Sequence, residues 1–111
     1  MANTTVVATA LVFGPVNSAS TAADISAAPT DTITAYVQVT ANPSKLPFTV
    51  ALEISPDGTA WAGAGTFKVA GSRTDLVHFS VKGLRASKAR LRQNDANQGS
   101  NALKINGWIS A

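Results

Sequence analysis

The chain has 111 residues, no cysteine and a net charge of +3, and although 45% of its residues are apolar, 20 of those 50 are alanine. One domain of this length buries about two-thirds of its unfolded surface, so a core forms without disulfides or thiolate metal sites; the composition also excludes a membrane span, a collagen and a coiled coil. Charged residues are only 14%, and twelve Thr, ten Ser and ten Val suit a pleated, half-buried surface better than a helical bundle or a metabolic enzyme.

In chain order, Val6 to Phe13 is an apolar run of eight. The first ten residues hold no Lys or Arg, so the basic segment of a signal peptide is missing, and the run reads as a first strand over 4–13, ended by Gly14-Pro15. A short apolar segment gives a second strand over 21–26. Thr32 to Thr40 alternates, with Ile33, Ala35, Val37 and Val39 on one face and Thr34, Tyr36 and Gln38 on the other, which predicts a third strand over 32–40. The fourth, 47–55, turns Phe48, Val50, Leu52 and Ile54 inward and Thr49, Ala51, Glu53 and Ser55 outward. Ser55-Pro56-Asp57-Gly58 sets Pro at the second position of a turn and Gly where a left-handed residue follows, a hairpin signal leading to a fifth strand over 60–68. A sixth, 73–82, sets Val77, Phe79 and Val81 against His78 and Ser80. A seventh spans 86–93, and an eighth, 102–110, groups Leu103, Ile105 and Ile109 opposite Lys104, Asn106 and Trp108. Asn94 to Asn101 reads as a polar hairpin loop between these two.

No window carries helical periodicity between a cap and a stop. Eight short strands at this spacing predict an all-β fold: one domain over 1–111, an antiparallel two-sheet β-sandwich, with the jelly roll as its possible form. The expected core is Val6 or Val7, Leu11, Phe13, Ile33, Val37, Val39, Phe48, Val50, Leu52, Ile54, Phe67, Val77, Phe79, Leu91, Leu103, Ile105 and Ile109.

Catalytic chemistry finds little support. His78 is the single histidine and points away from the face of Val77 and Phe79. No serine sits in a nucleophile elbow, and one histidine makes no multi-histidine metal site. With a single Glu and no local carboxylate pair, an acid–base couple is poorly supported. Asp57 belongs to its turn. Asn94, Asp95, Asn97 and Asn101 lack the spacing of a calcium loop. No catalytic, cofactor or metal site is expected.

Charge is unevenly placed. Residues 1–60 hold one Lys against four carboxylates, a net of −3; residues 61–111 hold eight Lys and Arg against two, a net of +6. Such asymmetry points to a molecule that meets two different surfaces. Lys82 to Arg92 carries five of the cations, and Lys88, Arg90 and Arg92 share one face of their strand. If the eighth strand pairs beside the seventh, Lys104, Asn106 and Trp108 join them in an interface patch of four cations and one aromatic. Neither strand holds a carboxylate. The face reads either as a solvated strand surface that guards an edge or as a patch for an acidic partner, a neighbouring protein rather than nucleic acid because no aromatic lies between the cations. In that arrangement Arg90→Glu, Arg92→Glu folds normally.

Leu52 to Trp61 (LEISPDGTAW) resembles the strand, DGT-x-W, strand hairpin of many small phage and bacterial β-sandwiches. Ala89-Arg90-Leu91-Arg92 resembles their A-R-Y-V-R strand without its aromatic, and Ala102 to Ala111 resembles their closing strand. Over about the last 60 residues the chain is thus similar to small virion proteins of tailed phages, capsid decoration (cement) proteins among them. The resemblance implies a non-enzymatic structural protein of the virion, assembled in the host cytoplasm. Its partners would be the major capsid protein or another virion protein, and it would form a homo-oligomer; no membrane, nucleic acid or cofactor is implied. The alternative is a carbohydrate-binding β-sandwich module using Trp61 or Trp108 as a stacking platform, which wants more than one coplanar aromatic on a face with polar neighbours.

Overall fold

A computed structural model describes residues 4–13, 17–28, 31–43, 45–72, 74–83, 85–94 and 103–111. They form eight strands: β1 (Thr4–Val12), β2 (Ala23–Asp24), β3 (Ile33–Ala41), β4 (Phe48–Ser55), β5 (Ala62–Val69), β6 (Leu76–Val81), β7 (Lys88–Gln93) and β8 (Lys104–Ser110). No helix occurs among the described residues. Each strand falls within about three residues of its expected place.

The strands make two antiparallel four-stranded sheets, ordered β1-β8-β3-β6 and β2-β7-β4-β5. Pairs 1–8, 2–7, 3–6 and 4–5 are the rungs of one long hairpin, and pairs 3–8 and 4–7 form when that hairpin is rolled. This is the jelly-roll order, and it establishes the β-sandwich.

The alternation of apolar residues builds the core between the sheets. Ile33, Ala35, Val37 and Val39 of β3, Phe48, Val50 and Leu52 of β4, Leu91 of β7, and Ile105 and Ile109 of β8 are all buried. Phe13 and Phe48 meet edge to face with centroids 6.3 Å apart, and Phe67 and Phe79 bridge the two sheets at 4.4 Å where β5 hands over to β6. Leu11, Ile54, Phe67 and Phe79, expected in the core, are only half-buried and pack on its rim, because they lie near strand ends or on edge strands. In β1 the register shifts between Val6 and Ala8. That bulge turns both Val7 and Ala8 inward and leaves Val6 57% exposed, as an extra residue in one strand must. Gly107 takes an inward position of β8 because Leu91, from the other sheet, fills its side-chain space: a Cβ there would stand 2.9 Å from Leu91 Cδ1.

Two devices finish the structure locally. Ser55 Oγ accepts the Gly58 amide at 2.7 Å, Asp57 Oδ1 accepts the Thr59 and Ala60 amides at 2.8 and 3.0 Å, and Gly58 takes φ +85°, so the Ser55–Gly58 turn closes the β4–β5 hairpin as expected. Along the open side of β7, where β2 is only two residues long, residues 17–25 continue the pairing. Gln93 N–H donates to Ser18 O at 2.7 Å, Ser20 N–H to Leu91 O at 2.8 Å, Ile25 N–H to Ser87 O at 2.9 Å, and Ser20 Oγ accepts Leu91 N–H at 2.9 Å.

Candidate functional site

The sandwich presents two unlike outer faces, and they divide the residues that the sequence grouped into one patch. The β7 and β8 strands do not pair; they lie in different sheets. Lys88, Arg90 and Arg92 therefore stand on the outside of the β2-β7-β4-β5 sheet, and Lys104, Asn106 and Trp108 on the outside of the other. The expected hairpin between them is overturned, because the rolled hairpin sets β8 beside β1 and β3; residues 95–101 of the supposed loop, Asp95, Asn97 and Asn101 included, lie outside the described residues.

On the first face the cations are not left to repel one another. Glu53 of the central strand β4 is the register partner of Arg90. Its carboxylate receives Arg90 Nε–H at 2.9 Å and lies 3.0 Å from Arg92 Nε. The expectation of an unneutralised patch fails because the neutralising carboxylate comes from the neighbouring strand. Glu53 points outward, as its alternation demands, yet its side chain is only 8% exposed beneath the two guanidinium groups. The Arg90 guanidinium also lies 4.1 Å from the Trp61 ring centroid, a cation–π contact. Arg92 Nη1 donates to Asn17 Oδ1 at 2.9 Å. Lys88 faces Asp24 at 3.9 Å across an exposed pair, and Lys68 is exposed on β5 beside Thr49. Four cations against two carboxylates leave this face at +2. Two guanidinium groups are held in fixed orientation, so Arg90→Glu, Arg92→Glu would place three carboxylates together and would not fold normally.

The second face carries no charge in its central rows. Val6, Trp108, Tyr36 and His78 are successive register partners, one from each of β1, β8, β3 and β6. They form a single row across the whole sheet. On one side runs a row of hydroxyls, Thr4, Ser110, Thr34 and Ser80, and on the other Asn106, Gln38 and Leu76. Tyr36 and His78 rings lie 5.7 Å apart. A shallow groove of about 230 Å³, lined by Thr4, Tyr36, Leu76 and Trp108, crosses the row. Trp108 thus keeps the outward face that alternation gave it, with Gly107 turned into the core. Val6, Tyr36, Leu76 and His78 were missed as its companions; the outward faces of Tyr36, Leu76 and His78 were readable, but that of Val6 depended on the β1 bulge and the adjacency of all four on the strand order.

His78 is exposed, with its ring against that of Tyr36. Hydrogen bonds from the Ser26 amide and hydroxyl, then the charge of Lys88, hold Asp24 below the usual carboxylate range. The amides of Ala60 and Thr59, then the Ser55 hydroxyl, do the same for Asp57. Both are structural roles in tight turns. Among the described residues no three His, Asp or Glu side chains converge on a metal-sized point.

No family model and no curated protein matches the chain. Among solved structures it is similar to the crystal structure of PirA, with a TM-score of 0.53 at 11% identity over 99% of this chain and 93% of that one. It is also similar to Bacillus endospore appendages, described as disulfide-linked pili, with a TM-score of 0.48 at 16% identity over 99% of this chain and 82% of that one. The likeness to PirA is one of fold, which by itself carries no function.

Proposed function

We propose that this chain is a non-enzymatic structural protein that adds to a larger protein assembly, docking through the outer face of the β2-β7-β4-β5 sheet onto an acidic protein surface. The observation that carries the reading is the Arg90–Glu53–Arg92 cluster capped by Trp61. Its guanidinium groups are ordered before any partner arrives, so little side-chain entropy is lost on docking, and Arg and Trp are the side chains on which interface energy concentrates. The assembly we favour is the outer surface of a phage capsid, with the major capsid protein as partner. The likeness of the β4–β5 hairpin, β7 and β8 sequences to small virion proteins supports that choice.

The test is co-sedimentation of the purified protein with undecorated capsids, together with the capsid melting temperature. Binding that raises this temperature and weakens steeply with salt is expected, since exposed charges are screened beyond about 8 Å at physiological ionic strength. The triple variant E53M/R90M/R92L removes the cluster while keeping its volume, a replacement that buried ion pairs tolerate well. It should fold and lose capsid binding. A folded triple variant that binds as well as the parent overturns the role of this face; absence of binding by the parent overturns the capsid reading.

A further inference from the structure

From the opposite face we infer that the Val6–Trp108–Tyr36–His78 row is a binding platform for a neutral glycan. The inference is independent of the docking reading, because it uses the other sheet.

The first argument is charge. No Lys, Arg, Asp or Glu stands in the aromatic row or in the rows on either side of it. A phosphate backbone or an anionic lipid surface binds through cations, and this face has none to offer at its centre. A neutral ligand is the one it fits.

The second argument is the pairing of chemistries. Trp108 and Tyr36 are adjacent across strands and half-buried, so each is fixed by its neighbours while one side of the pair opens to the groove. Aromatic surface of this kind takes the apolar C–H face of a sugar ring. The margins take its hydroxyls. Among the described residues, neither the Trp108 indole N–H, the Tyr36 hydroxyl nor the Gln38 amide has a hydrogen-bond partner in the protein, and none of these atoms is sealed from solvent. These donors and acceptors lie beside the groove and point to a ligand with apolar faces and hydroxyl edges.

The third argument is size. Three rows across four strands cover about 20 × 20 Å from strand spacing and rise. The groove is shallow and open, so the surface does not enclose a small molecule. It has the dimensions of a platform along which a short stretch of polysaccharide lies.

The experiment is affinity electrophoresis through native gels containing soluble neutral polysaccharides (an α-glucan, a β-glucan, a galactomannan and a xylan), with heparin as the charged control. Retardation by at least one neutral polysaccharide and not by heparin is expected. Trp108→Ala and Tyr36→Ala should each weaken that binding at least tenfold while keeping the parent's circular dichroism. Trp61→Ala, on the other sheet, should leave it unchanged. Trp61→Phe leaves Trp108 as the single tryptophan, whose emission should shift on titration with the retarding polysaccharide. No retardation across the panel overturns the proposal. So does retardation that survives Trp108→Ala, or sedimentation showing a dimer that Trp108→Ala dissolves, which would make the row a contact between copies.

Discussion

Replacing Glu53 by Gln tests whether the cluster on the β2-β7-β4-β5 face is held by charge. Glutamine keeps the shape of the side chain and its carbonyl oxygen still accepts one guanidinium N–H. Its amide nitrogen, however, must then face the other Arg as donor against donor. The loss is one charge-assisted hydrogen bond, about 1.5–3 kcal/mol, together with the neutralisation of two guanidinium groups. Removing one partner from a fully buried pair costs about 3–5 kcal/mol. The Arg90 and Arg92 side chains are 25% and 32% exposed, so water recovers part of that, and the lower values apply. A destabilisation of about 2 kcal/mol is expected, roughly 10 °C in melting temperature for a chain of this size. Urea unfolding followed by tryptophan emission measures it directly, with Trp61 resting on Arg90 as the reporter. The slope of the transition should not change, since the surface exposed on unfolding is the same. A loss below about 0.5 kcal/mol refutes the reasoning and makes the cluster a surface accident. A second check is the E53M/R90M/R92L variant: if charge is the cause, it is more stable than Glu53→Gln.

Three further outcomes follow from the packing and the turns. Gly107→Ala drives a methyl group against Leu91 and should cost about 1–3 kcal/mol by overpacking; adding Leu91→Val should recover part of that loss in the same urea titration. Gly71→Ala places its Cβ on the Lys45 carbonyl, a backbone group that cannot step aside, so a drop of about 3 kcal/mol is expected in thermal melts. Asp24 and Asp57 are both held below their ordinary value of 3.8 in the folded chain. A depressed folded value means that their contribution is complete above the unfolded value and disappears as the pH falls through the folded one; Asp24→Asn, Asp57→Asn should therefore lower stability near neutrality and flatten its decline below about pH 4 in an acid titration.

Alternation along β3, β4 and β8 made the inward set legible, because one face of each strand is buried and a period of two follows directly. It did not make exposure legible. Glu53 was rightly placed outward and still lies buried, since β4 is a central strand and two long guanidinium side chains cross over it. Val6 and Val7 were not separable because the bulge that chooses between them depends on pairing with β8. The largest loss concerned neighbours. Consecutive strands usually adjoin, and on that footing β7 and β8 read as a hairpin. In a rolled hairpin Trp108 instead lies between Val6 near one end of the chain and Tyr36 of β3. The aromatic row was spread over four segments that nothing local connects.

The place of β8 between β1 and β3 also sets a timetable. Until the last strand in chain order arrives, β1 has no neighbour in its sheet and the inner edge of β3 is open, however complete the β4–β5 hairpin is by then. Contacts between such remote segments are slow to form, and unpaired edges left waiting invite other chains. During synthesis on the ribosome the charged face can therefore exist before the neutral one: Val6, Tyr36 and His78 become a single row only when Trp108 enters between the first two.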